Sequence, residues 1–209
     1  MRTFKNNRPN KCLLNAQIQN LHSQSAKNGF YDDYPTKESR ATADFLHSRA
    51  MLISGEVAEA YEALRCGKID NPDEIDNTKA LEGQRASFAA AYKTHIKGTV
   101  AEELADVYIR LCCVLGALGI GYGDKDINEL KNAPTPDPEK YNIHTAFYDL
   151  NTLVFEAFDC APHQMPRHFI SIFIYLFHVA DGLGIDINAH IELKHYYNTT
   201  REYKHGKNY

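Results

Sequence analysis

Glu56 and Glu59 stand three residues apart in ISGEVAEAYEAL, residues 53–64, and Glu103 and Asp106 repeat that spacing in AEELADVYIRL, residues 101–111. On a helix, residues three apart share a face, so each segment offers two carboxylates to one side. Four acids gathered in a partly dry site repel one another and must take up protons or cations. All the donors are oxygens, with no Cys or His at matching positions, and such hard ligands suit Mg²⁺ or Mn²⁺ over zinc. An ion held there polarises a phosphoryl oxygen and lowers the pKa of bound water. A single Glu-x-x-Glu is commonplace on a solvent-facing helix. Two pairs embedded among small and apolar residues with few nearby bases are a more specific signal. A di-iron bundle also places carboxylates on facing helices, but it needs Glu-x-x-His pairs, and neither Glu59 nor Glu103 has a His three residues on. No Cys or Ser triad is legible.

The elements that must position these acids read as helices throughout. Leu13, Leu14, Ile18 and Leu21 recur at helical spacing over residues 11–27, and the pattern stops at Asn28-Gly29. An aromatic, acidic loop follows, from Phe30 to Pro35. Thr36 to Arg65 has no internal Pro, with Gly55 its weak point and Cys66-Gly67 its end. Gly costs about 1 kcal/mol relative to Ala in a helix interior, so Gly55 predicts a close approach by another helix or a ligand. Residues 67–78 are polar and read as a surface connection, and the next helix is expected from Lys79 to about His95. Thr99-Val-Ala-Glu102 fits a capping box opening a helix that runs to the glycines at 116 and 119. Glu102 thereby has a structural task that separates it from Glu103 and Asp106.

Residues 121–140, with GYGDKD and PTPDP, cannot carry a continuous helix and mark the best internal boundary. Two further helices are expected at 142–158 and 166–181; the second, FISIFIYLFHVA, is apolar on nearly every side and must be buried. LGALGI at 115–120 and ADGLGI at 180–185 echo each other as helix ends. A last helix carries Ile191, Leu193, Tyr196 and Tyr197 into a tail with Arg201, Lys204, His205 and Lys207.

Length and composition set bounds. At 209 residues the chain can bury a sizeable core in one domain spanning 1–209, or in one domain with a large insertion. A net charge of −4 gives no support for general electrostatic binding of duplex nucleic acid. The five cysteines show no Cys-x-x-Cys spacing, so they read as reduced thiols of a cytoplasmic protein. The basic start leads into no unbroken apolar stretch, and the greasy run 169–180 is too short for the roughly 20 residues that cross a bilayer. Neither a signal peptide nor a membrane partner is therefore expected.

GEVAEAYEALR, then EELADVYIRL, then IELKHYYNTTREYKHGKNY resemble, in that order, the MazG-like members of the all-α nucleoside triphosphate pyrophosphohydrolase superfamily. QIQNLHSQSAKNGFYDD is similar to the family's N-terminal helix and aromatic loop. The family signature is Glu-x-x-Glu followed by Glu-x-x-Asp, matched by Glu56, Glu59, Glu103 and Asp106. The resemblance implies an all-α helical bundle with an inserted helical pair. It implies hydrolysis of a (deoxy)nucleoside triphosphate to monophosphate and pyrophosphate with Mg²⁺ (Mn²⁺ as a substitute), in nucleotide-pool housecleaning. The four acids would hold metal, and Glu56 or Glu59 would position or deprotonate the attacking water. Asn198 occupies the place of a nucleotide-contacting Asn; Lys194, Arg201 and Lys204 are phosphate candidates, and His47 and Tyr31 base-pocket candidates. The family assembles as homodimers or homotetramers, so a homo-oligomer is implied, with which the apolar 169–180 helix is compatible. The intervals at 67–98 and 121–182 are longer than the family's. From a different class, the competing expectation is a non-catalytic helical oligomer or nucleotide-binding regulator whose acids only bind metal.

Overall fold

A computed structural model describes residues 8–9, 11–133 and 142–203. Among the described residues the fold is all-α, with ten helices and no strand. In chain order these are α1 (Lys11–Lys27), α2 (Lys37–Arg40), α3 (Ala43–Arg65), α4 (Pro72–Lys79), α5 (Arg85–His95), α6 (Val100–Leu118), α7 (Asp124–Asn132), α8 (Ile143–Asp159), α9 (Met165–Leu183) and α10 (Ile187–Thr199). The centre is α6, nearly every side chain of which is buried. Helices α3, α6, α9 and α8 pack in a ring, each against the next, and α1 and α10 lie on other sides of α6.

Local chemistry sets most helix boundaries. Thr42 and Thr99 accept hydrogen bonds from Phe45 N–H and Glu102 N–H, capping α3 and α6. The two glycine-rich echoes end α6 and α9: Gly119 and Gly184 sit at φ 70° and 72°. Just beyond them, Ile120 N–H bonds back to Leu115 O and Ile185 N–H to Ala180 O, both at 2.9 Å. Along the α3–α8 seam His47 meets Asp159 at 3.4 Å, Ser54 donates to Asn151 at 2.8 Å, and Tyr61 meets His144 at 3.0 Å. Positions that climb α3 while descending α8 make the pair antiparallel.

Four expectations need correction. The run from Thr36 is two helices, because Thr42 caps the second. Residues 67–78 are not only connection: Pro72 opens α4, as its fixed φ suits a first helical turn, and Gly83 at φ 90° breaks the chain before α5 begins at Arg85. Residues 121–182, expected to hold a helical pair, hold α7 and α8 and nearly all of α9, since the glycines at 121 and 123 precede α7 instead of interrupting it. Within α7, Asp126 accepts from Gly123 N–H, and Ile127 and Leu130 are buried. Gly55 has no close neighbour, for a Cβ built there would meet nothing within 4 Å. The close approach is at Gly116, where a Cβ would stand 2.4 Å from His22 Cβ.

Residues 67–98 have a positional use. Phe88, Tyr92 and Ile96 form a small separate core with Leu193 and Tyr197 of α10, and Tyr92 stacks on Tyr197 at 4.2 Å between centroids. That core fixes α10, and with it Lys194 and Asn198, against α6. Phe169, Phe173, Leu176 and Phe177 of α9 are buried within this one chain, packed among α6, α7 and α8. No single helix among the described residues is long and apolar enough to cross a membrane.

Candidate metal centre and ligand cavity

The acids of α6 lie in its first two turns, where the helix dipole favours negative charge. That end is anchored by the chain just past α3: Lys68 O and Ile69 O accept from Val100 N–H and Ala101 N–H at 2.8 and 3.1 Å. Glu56 on α3 faces it. Ligand oxygens of Glu56, Glu103 and Asp106 lie within 4.8 Å of one another, an all-oxygen set that fits Mg²⁺ or Mn²⁺. Glu56 and Glu103 are only 8% and 7% exposed.

Glu59 is a correction to the four-acid expectation, because it is exposed and lies outside this cluster. The reason is helical geometry. The inward stripe of α3 runs through Ile53, Val57, Ala60 and Ala63. Three residues on a helix turn the side chain about 60° from its predecessor. Glu56 is on the near shoulder of the stripe, and that turn carries Glu59 past its edge.

The acids are also not short of basic partners. The Arg110 guanidinium pairs with Glu56 Oε1. Lys194, 4% exposed, reaches from α10 to bind both Glu102 Oε1 and Asp106 Oδ2, the latter at 2.5 Å. Lys194 is therefore an internal counter-ion rather than the free phosphate contact expected of it. The expected capping box is only half made: Thr99 caps α6, but Glu102 accepts from Gly98 N–H at 3.0 Å instead of from Thr99 N–H, and it also accepts from Tyr92 Oη at 3.1 Å and so joins the charged cluster.

Burial, followed by the charge of Glu102 and a hydrogen bond with it, pushes the Glu103 carboxyl up to about 9. Burial also raises Glu56, with Arg110 pulling against it. At Glu102 burial is outweighed by the charge and hydrogen bond of Lys194 and the Gly98 N–H, so its carboxyl is held low. Glu103 is thus pushed well toward its protonated form.

Asp106 and Arg110 also form part of the wall of a cavity of about 520 Å³, which Tyr31, Arg49, Asn198 and Arg201 line as well. The aromatic loop contributes Phe30 and Tyr34 to it. Tyr31, Asn198 and Arg201, expected at the ligand, are thus brought together with Asp106 across more than 160 residues of chain. Asn198 Oδ1 is buried without a hydrogen-bond partner among the described residues. His47 is not there: it is exposed on the α3–α8 seam beside Asp159. Lys204 lies outside the described residues.

Sequence reasoning missed Arg49 and Arg110. The Arg49 guanidinium lies 5.0 Å from the ring centroids of both Tyr31 and Phe45, and donates to Phe30 O at 3.0 Å. Nothing in the local pattern marks Arg49. Arg110 did have a signal, being four residues after Asp106 and therefore on its face of α6. Cys113 also borders the cavity, yet burial pushes its thiol up to about 12, which leaves it no thiolate for nucleophilic chemistry. The arrangement can hold a hard cation beside an anionic ligand that carries a flat ring. Comparison with protein-family models, with curated proteins and with solved structures finds no match for this chain.

Proposed function

We propose that this protein is a Mg²⁺-dependent nucleoside triphosphate pyrophosphohydrolase of the MazG-like kind, releasing a nucleoside monophosphate and pyrophosphate in nucleotide-pool housecleaning. The observation that carries the reading is that Glu56, Glu103 and Asp106 converge where Asp106 borders a cavity walled by aromatic rings and guanidinium groups. Glu56, Glu103 and Asp106 would hold the ion, which when bound polarises a phosphoryl oxygen and acidifies bound water. Phe30 and Tyr34 offer faces and edges to a base, with the buried Tyr31 under the Arg49 guanidinium in the same wall, and Asn198 offers an amide to its polar rim or to the sugar. Arg49, Arg110 and Arg201 supply positive charge for phosphate oxygens. Glu56 is the nearest carboxylate on α3 to orient a water molecule.

The test is incubation of the full chain with a panel of nucleoside and deoxynucleoside triphosphates and Mg²⁺, with products separated by anion exchange. Monophosphate and pyrophosphate in equal amounts are expected, and a preferred base would appear as a spread in kcat/KM. Monophosphate with two orthophosphates would refute the bond assignment. The competing reading, a nucleotide-binding regulator that holds metal without turnover, is favoured by the pairing of Glu56 with Arg110 and by the outward Glu59. Tight nucleotide binding with no product would select it.

A further inference from the structure

Arg201 lines two cavities. One is the ligand cavity described above; the other, of about 440 Å³, is walled by Lys93 and Lys97 at the end of α5 and by Tyr197, Thr200 and Glu202 around the end of α10. We infer that this second cavity is a site for a diphosphate group, either the terminal phosphates of the bound nucleotide or free pyrophosphate. Its anion-binding character stands on the cavity itself; the choice of a diphosphate rests on the function proposed above.

Three cations line the cavity against one carboxylate, Glu202, in a chain whose net charge is −4. Among the described residues Lys93, Lys97 and Arg201 form no ion pair. Lys79, Lys194, Arg65 and Arg110, by contrast, are each paired with a carboxylate. The Arg201 guanidinium lies 5.8 Å from the Tyr197 ring centroid, a contact that steadies the group without using its N–H donors. A planar guanidinium suits two phosphate oxygens at once, and lysine ammonium groups add compact positive charge. Lys93 in the last turn of α5 also complements the helix dipole. That does not account for Arg201, which comes to the same cavity from beyond the end of α10.

The cavity adjoins the acid cluster. Tyr197 stacks on Tyr92, whose hydroxyl donates to Glu102, and Lys97 precedes Gly98, whose N–H bonds the same carboxylate. A nucleotide with its ring against Phe30 and Tyr34 and a phosphate at Arg201 can therefore lead its terminal phosphates toward Lys93 and Lys97. Both lysines belong to the 67–98 interval, outside the segments that resemble the MazG-like family, so neither is among the phosphate contacts which that resemblance implies.

Calorimetric titration of the full chain with inorganic pyrophosphate, in EDTA so that no divalent ion bridges it to the acids, tests this. One pyrophosphate per chain is expected. The double variant Lys93→Ala/Lys97→Ala should bind at least about tenfold more weakly, the scale of lost charge-assisted contacts, and Lys93→Arg/Lys97→Arg should retain binding. Lys125→Ala/Lys131→Ala, an equal change of charge on exposed positions of α7, should leave it unaltered. No binding at millimolar pyrophosphate, or an equal loss in the α7 variant, would overturn the inference. If the Ala variant also binds nucleoside triphosphate more weakly and monophosphate as before, the occupant is the nucleotide's own tail; unchanged triphosphate binding assigns the site to free pyrophosphate. The titration needs no turnover, so the anion site and the pyrophosphohydrolase reading can each fail while the other stands.

Discussion

Metal binding should expel a proton from Glu103. In the metal-free protein its carboxyl is pushed up to about 9 from an ordinary 4.5, first by burial and then by the Glu102 charge and hydrogen bond. A metal ligand must be the carboxylate. At pH 7, about two units below that value, roughly one molecule in a hundred has Glu103 ionised, a handicap on metal affinity of about 2.7 kcal/mol. Apparent affinity should then rise about tenfold per pH unit and level off near pH 9, with about one proton released per ion at neutral pH. Mn²⁺ titration calorimetry from pH 6.5 to 9.5, in two buffers of different ionisation enthalpy, reads both quantities. Glu103→Gln should bind more weakly and lose the pH slope. Affinity that is flat with pH, together with heats that do not depend on buffer, would refute the reasoning.

Three other outcomes follow from the same geometry. With Glu103 raised in the fold, its contribution to stability is fully present below about 4.5 and is lost as pH rises toward about 9; metal-free protein should therefore lose Tm across that window, and saturating Mg²⁺ should restore it, as thermal unfolding would show. Glu56→Gln should lower kcat by at least about a hundredfold, the scale of a lost general base, whereas Glu59→Gln should lie within a fewfold of wild type because Glu59 is exposed and apart from the cluster; equal losses in a pyrophosphate-release assay would return Glu59 to the site. Gly55→Ala should stabilise the chain by up to about 1 kcal/mol, while Gly116→Ala should destabilise it by about 1–3 kcal/mol by forcing α6 off His22 and Ile18. Urea unfolding measures both, and the same sign for the two would contradict the packing.

Sequence alone determined the elements whose ends are set within a turn of chain. Thr99 opens α6, Gly67 follows the end of α3, and Gly119 and Gly184 close α6 and α9, because a side-chain cap or a left-handed residue acts on neighbouring backbone groups wherever the helix later packs. It also supplied the acid pairs, and Tyr31, Asn198 and Arg201 as residues to watch. It did not supply the angle of each helix about its own axis. Glu56 and Glu59 differ by about 60° on α3, finer than an apolar stripe can specify, and only packing against α6 turned the first inward and left the second in water. Nor could local pattern foresee that Lys194 would cross from α10 to Asp106 and Glu102, since that contact depends on the small core of Phe88, Tyr92 and Tyr197 that holds α10 in place. The charges were written in the chain; which of them meet was decided by how the helices rotate and dock.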